Sequence, residues 1–336
     1  MIMKISIVST LYYSERYVRE FYNRTSATAE SLKQEIEFVF VDDGSPDQSA
    51  NVVQELLAGD ARVKLICLSR NFGHHKAIVT GIEHASGDYI FVIDCDLEEP
   101  PELLADFYQA MKGNPQVDLF IGRQSERRGG FLDKYIAGMY YGLFNFWSGH
   151  SIPLNQVIAR MMTRRYANDL LKFKESNFIL AGTCALVGYK QHTLETKKGD
   201  KGSSTYDMRR KLGLMIDSIT SFSARPLELV FYLGLAVSSL SFLIVCWLLY
   251  KKLVLGINLE GWVSIVASIW SVGGLLLFSI GIVGIYVARI YTQVKNRPFT
   301  IVKSIHSQEK TEEKTEERIN EASLEEAGQT IQSGRL

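Results

Sequence analysis

Two acidic clusters in the first third of the 336-residue chain hold the side chains best suited to cation and phosphate chemistry. Asp94 and Asp96 flank Cys95 directly after an apolar run at 89–93, and Glu98 and Glu99 follow. Two carboxylates one residue apart at a strand end can turn toward a single hard cation. Oxygen donors of this kind suit Mg2+ or Mn2+, and one or two carboxylates completed by phosphate oxygens commonly hold a nucleotide-bound Mg2+. A solitary DxD also fits a solvated acidic loop, but here Asp42-Asp43-Gly44-Ser45 ends a second apolar run. One of those carboxylates could accept a hydrogen bond from a nucleobase or ribose. The same residues, continued by Pro46-Asp47, equally fit a turn that caps the next helix. Between the clusters, residues 68–76 (LSRNFGHHK) form a basic strand-to-helix loop suited to anionic phosphates, with Arg70 at its start. No GxGxxG follows the first strand and no GxxxxGK[ST] occurs in the sequence, which disfavours a dehydrogenase or a P-loop enzyme.

Elements that would position these groups are legible in the hydrophobic periodicity. Strands are expected at 4–9, 36–41, 63–68, 89–93 and 117–121, and amphipathic helices around 17–33, 48–58, 76–85 and 101–112. The alternation predicts an α/β fold with a parallel sheet covered by helices. Each polar cluster falls just after a strand, at the carboxyl edge where open α/β sheets bind ligands.

The remainder of the chain excludes a simple soluble protein. Residues 229–250 run for 22 positions and residues 261–288 for 28 without a charge. At about 1.5 Å per residue, both exceed the roughly 30 Å of bilayer hydrocarbon. Arg209, Arg210, Lys211 and Arg225 precede the first span, and Arg289, Lys295, Arg297 and Lys303 follow the second; the connection holds only Lys251 and Lys252. That bias predicts a hairpin with both ends cytoplasmic. The N-terminus has no signal-peptide pattern, because Lys4 and Ser6 break its first apolar stretch. Residues 131–147 and 206–222 are expected along the lipid interface, the first of them fitting a helix packed on the sheet domain equally well. Gly273, Gly274, Gly281 and Gly284 place small residues along the second span, where a second copy could approach and form a homo-oligomer.

Charge and cysteine content narrow the function classes further. With 37 basic and 37 acidic residues there is no reason to expect nucleic-acid binding, and the four separated cysteines suggest neither a zinc site nor disulfides. Residues 304–336 hold four basic and eight acidic side chains and read as a solvated helix or disordered tail. The expected domains are 1–226, catalytic with interfacial helices; 227–303, the transmembrane hairpin, with spans at about 229–250 and 263–288; and the tail, 304–336.

The runs VDDGSPDQS, LSRNFGHHKA, DCDLEEPPE, IGRQSERRG and SFSARPL, followed by two spans, resemble the polyisoprenyl-phosphate glycosyltransferases of glycosyltransferase family 2. The order of motifs is similar to that of dolichol-phosphate mannose synthase and the bacterial undecaprenyl-phosphate glucosyl-type transferases. The resemblance implies a GT-A fold, a nucleotide-sugar donor, a divalent metal and inverting transfer of one sugar to undecaprenyl phosphate, at the cytoplasmic face of a bacterial cell membrane. A UDP-hexose or UDP-N-acetylhexosamine donor is favoured through the bacterial relatives, and the product would serve cell-envelope glycans. Carried over, Asp42 and Asp43, with Arg70, would hold the nucleotide, and Asp94 and Asp96 the metal, with Glu98 as a further ligand. Arg123, Arg127 and Arg128 would meet donor or acceptor phosphate, with Asp96, Arg123 and Arg128 carrying the catalytic roles.

Two departures from the family pattern bear on mechanism. The family's Asn-Val-Gly-Asp-Phe-Arg stretch reads Asn155-Gln156-Val157-Ile158-Ala159-Arg160, so Ile158 replaces the acidic residue proposed as base. Near the membrane, Thr205 stands where Lys is usual, and Lys197, Lys198 and Lys201 are near enough in sequence to supply acceptor-phosphate contacts. Two alternatives remain at this point: a processive polysaccharide synthase, which lacks support because no Gln-x-x-Arg-Trp motif is present, and an inactive scaffold that binds a nucleotide sugar.

Overall fold

The computed structural model describes residues 2–124, 155–176, 178–196, 225–254 and 261–308. They divide into two units: 2–124, 155–196 and 298–308 form one, and 225–254 with 261–297 the other. The interfacial segments expected at 131–147 and 206–222 lie outside the described residues, as does the chain beyond Gln308.

The first unit is a sheet between two helical layers. β1 (Lys4–Leu11), β2 (Glu35–Asp42), β3 (Val63–Leu68) and β4 (Tyr89–Val92) run parallel, linked by α1 (Glu15–Leu32), α2 (Ser49–Gly59) and α3 (His74–His84). After α4 (Leu103–Gly113), β5 (Leu119–Gln124) and β6 (Gln156–Thr163) extend the sheet, β6 antiparallel to both β4 and β5. Two short helices follow, α5 (Arg164–Leu170) and α6 (Leu180–Leu186), and then β7 (Gln191–Thr196), parallel to β5. β8 (Val302–His306) pairs antiparallel with β3, giving the order β7-β5-β6-β4-β1-β2-β3-β8. The boundary expected at residue 304 therefore falls inside a strand: Ser304, Ile305 and His306 are sheet residues rather than the start of a solvated tail.

Sheet alternation divides the core. Ile5, Ile7, Phe38, Phe40 and Phe91 face α1, α2 and α4, whereas Val8, Val39, Val41, Ile90 and Val92 face α3, α5 and α6. α3 lies close to the sheet because of Gly81, where an added Cβ would stand 2.4 Å from Val8 Cγ1.

In the second unit, α7 (Arg225–Leu253) and α8 (Trp262–Val294) contain segments long and apolar enough to cross a membrane, Pro226–Ile244 and Ser268–Val294. Large apolar side chains such as Leu240, Trp270 and Leu277 are exposed along them. A helix apolar on all sides that does not bury those residues within the protein fits a lipid surround.

Candidate active site

Parallel strands β1–β4 bring their carboxyl ends to one edge, and the polar loops gather there. Asp42 ends β2, and its Oδ1 accepts a hydrogen bond from Ser45 N at 3.0 Å. Asp43 is 2% exposed and turns away: its carboxylate accepts from Phe72 N at 2.7 Å and Gly73 N at 3.0 Å. This ties the loop after β2 to the start of α3. Gly44 lets the two loops meet, since at φ +64 an added Cβ would lie 2.6 Å from the carbonyl carbon of Arg70. Burial pushes the Asp42 and Asp43 carboxyls above their ordinary value, and the backbone hydrogen bonds oppose the push. Of the expected nucleoside pair, then, Asp42 lines a cleft of about 470 Å³ while Asp43 locks its wall. Arg70 lines the same cleft, and its guanidinium lies over the Phe72 ring at 4.2 Å.

The second cluster lies in the turn after β4. Cys95 is buried and bonds through Sγ to Thr10 O at 3.3 Å, while Asp94 and Asp96 on either side of it are half-buried. Asp96 Oδ1 accepts from Glu98 N at 3.0 Å, closing a tight turn around Leu97, which holds φ +62. Asp94 Oδ1 lies 3.4 Å from His74 Nε2, and His74 Nδ1 lies 3.1 Å from Thr10 Oγ1. Burial and the Arg160 charge lower the His74 pKa, against the pull of Asp43 and Asp96. A neutral ring that donates from Nε2 toward Asp94 and accepts the Thr10 hydroxyl at Nδ1 satisfies both contacts.

Among the described residues, no three carboxylate, imidazole or thiol groups converge as cation ligands. Glu98, expected as a third metal ligand, stands in the same turn, its backbone N–H donating to Asp96 Oδ1. Asp94 and Asp96 both offer carboxylate oxygens, the donor type that hard divalent ions take.

Two residues outside the expected set support this edge. Glu99 is 3% exposed, with Oε1 accepting from Ile158 N at 2.9 Å and Oε2 from Ala159 N at 2.7 Å, so it fastens the acidic loop to β6. Arg160 is 1% exposed and donates to Ile158 O at 2.9 Å and Val157 O at 3.0 Å. The sign in the sequence for Arg160 was one cation in the apolar run VIARMM; Glu99 had none, standing beside the similar Glu98.

β5 is parallel to β4 across β6, which places exposed Arg123 on the same edge, two strand spacings or about 10 Å from β4. Ile158 sits at that edge too, half-buried against the apolar cluster below α3. Arg127, Arg128, Lys198 and Lys201 lie outside the described residues.

The Glycosyl transferase family 2 profile matches residues 6–171, from β1 through the end of α5. Uncharacterized glycosyltransferase YkcC of Bacillus subtilis is 34% identical over 309 residues, 91% of this chain and 95% of that protein. The bactoprenol glucosyl transferase of Shigella phage SfII is 34% identical over 307 residues, 90% of this chain and 99% of the relative. The chain belongs to glycosyltransferase family 2. Among solved structures, S. aureus TarS 1-349 in complex with UDP-GlcNAc is similar at 20% identity and a TM-score of 0.45, over 65% of this chain and 66% of that one. As a family 2 glycosyltransferase, the protein has the GT-A α/β domain expected from its motifs, followed in sequence by two membrane-length helices.

Proposed function

We propose that this glycosyltransferase moves one sugar from a nucleotide diphosphate, a UDP-hexose or UDP-N-acetylhexosamine, to a polyprenyl phosphate such as undecaprenyl phosphate. The observation that carries the reading is one sheet edge with a carboxylate pair at β4 and a nucleoside-sized cleft at β2, in a chain with two membrane-length helices. Similarity to bactoprenol glucosyl transferases supports the lipid acceptor. A catalytic domain at 1–226 that β8 completes, and a membrane hairpin that ends before β8 with both its ends cytoplasmic, are part of the proposal.

Asp94 and Asp96 would hold Mg2+ or Mn2+ against the donor diphosphate, where the ion neutralises charge that grows on the leaving group. Asp42 would orient the nucleoside, and Asp43 and Glu99 would keep the loops around it fixed. Arg123, with Arg127 and Arg128, would hold the acceptor phosphate near the anomeric carbon, so that attack from the face opposite the nucleotide inverts it. Much of the acceleration would then be positioning and electrostatics. A phosphate monoester has its second pKa near about 6 and attacks as a dianion, so Ile158 in place of a carboxylate is compatible with the reaction.

The test is incubation of membranes containing the protein with radiolabelled UDP-sugars and undecaprenyl phosphate. A chloroform-soluble product that releases sugar in mild acid is expected. A polymeric product would instead favour a processive synthase, and transfer to undecaprenol would contradict phosphate as the nucleophile.

A further inference from the structure

β8 follows both long helices in sequence, and its pairing with β3 carries a defect that matters. Cys67 pairs with Ser304 but Leu68 pairs with Val302, so Lys303 is an extra residue in the ladder. Such a bulge breaks the alternation of side chains and re-aims one of them. Lys303, Ser304 and His306 all line the cleft that Asp42 and Arg70 line from the opposite strands. The strand is tethered on both flanks: Ser69 N donates to Ile301 O at 2.9 Å, Thr300 Oγ1 meets Thr80 Oγ1 at 2.8 Å, and Gln308 Nε2 donates to Leu57 O at 2.8 Å. His306 Nε2 is fixed 2.9 Å from Ser304 Oγ.

Resting on the reading of the protein as a nucleotide-sugar transferase, we infer that β8 forms one wall of the donor's nucleoside subsite, with Lys303 and His306 as specificity-determining residues. The position along the sheet edge assigns the nucleoside rather than the phosphates. From β4, where Asp94 and Asp96 stand, the order runs β1, β2, β3, β8 at about 4.8 Å per step. The cleft thus begins about 10 Å from the carboxylate pair. A nucleotide with its diphosphate at Asp94 and Asp96 directs its base along the edge into the cleft. There Lys303 supplies a cationic donor for a base carbonyl or a ribose hydroxyl, opposite the acceptor Asp42. Burial raises the Asp42 pKa, and Lys303 is among the groups that counter this by favouring the ionised, hydrogen-bond-accepting form.

The full-length protein in lipid nanodiscs is titrated with UDP, GDP and ADP, and pyrophosphate is run as a competitor. Lys303→Ala should weaken the preferred nucleotide at least about tenfold, the scale of one lost charged hydrogen bond, while Lys303→Arg stays within about threefold. Pyrophosphate affinity should be the same in wild type and Lys303→Ala. In turnover, KM for the donor should rise with kcat within about twofold. If Lys303→Ala lowers the ligand-free Tm, His306→Ala is the second variant, with a weakening of about threefold expected. Unchanged nucleotide affinity in both variants would overturn the inference, as would a parallel loss of pyrophosphate affinity, which would move Lys303 to the phosphates. Wild-type protein that binds none of the three nucleotides would overturn the transferase reading itself.

Discussion

Asp43 and Asp96 both lie in loops that follow parallel strands, and what already bonds each decides what its loss would do. Both oxygens of Asp43 take backbone N–H groups, and an amide can accept only one of them while its NH2 opposes the other. Asp43→Asn is expected to cost about 1 to 3 kcal/mol, read as a lower Tm that donor does not restore. Asp96→Asn should leave Tm within about 2 °C and cut turnover at least about 100-fold, because a neutral amide is a poor ligand for a hard cation. Full turnover in that variant, or in excess EDTA, would remove the metal from the proposal. Ile158 is a different case. Its backbone N–H is held by Glu99, and its side chain packs on apolar neighbours. Ile158→Asp would bury a second carboxylate near Glu99, so a lower Tm is expected, together with a rate gain of less than about tenfold.

At the scale of elements, one buried carboxylate joins three of them. Glu37 on β2 accepts from Ser6 on β1 at 2.6 Å, from Lys64 on β3 at 2.8 Å and from Ser86 N ahead of β4 at 2.9 Å. Burial alone would raise its pKa; these hydrogen bonds and the Lys64 charge outweigh burial and carry it to about 2. A folded pKa below the unfolded value of about 4.5 means stability is present above that value and lost as the pH falls toward about 2. The shift corresponds to roughly 3 kcal/mol, so Tm of wild type should fall between about pH 5 and pH 2, and Glu37→Gln should start lower and vary less across that range. The four parallel strands β1–β4 were legible because each is an apolar run that meets a polar cluster. β6 was hidden: Gln156–Thr163 reads as a departed motif, and its neighbour in the sheet is set by an antiparallel return rather than by sequence order. β8 was hidden more deeply, being five residues with Lys303, Ser304 and His306 among them, placed after two spans. The same split holds at the site. Asp42, Asp94 and Asp96 stood out in the sequence by type and place, whereas Lys303, which lines the cleft, read as one more basic residue after the spans and Glu99 read like its neighbour.

At the scale of the whole molecule, the sheet bears on membrane topology independently of charge bias. β7 precedes α7 and β8 follows α8, and both are strands of a single sheet. A chain that leaves a sheet and returns to it must cross a bilayer an even number of times, so with α7 and α8 the two membrane-length helices among the described residues, a crossing by α7 predicts a return by α8. The proposed side rests on the positive-inside bias alone, which expects Arg289, Lys295 and Arg297 at the cytoplasmic face. Impermeant thiol labelling tests both statements. Cys67 and Cys246 are replaced by Ser, while Cys95 and Cys184 stay, since both are buried and burial pushes the Cys95 thiol up to about 12, where the reactive thiolate is scarce at neutral pH. In intact cells, a cysteine at Asn258, between the helices, should be labelled from outside, and one at Ser307, just beyond β8, only after the membrane is opened. Labelling of both from one side would mean that the helices do not cross. Exposure of the Ser307 site from outside and of the Asn258 site from inside would keep the hairpin and reverse its orientation, placing the donor cleft away from cytoplasmic nucleotide sugars and so contradicting the proposed reaction.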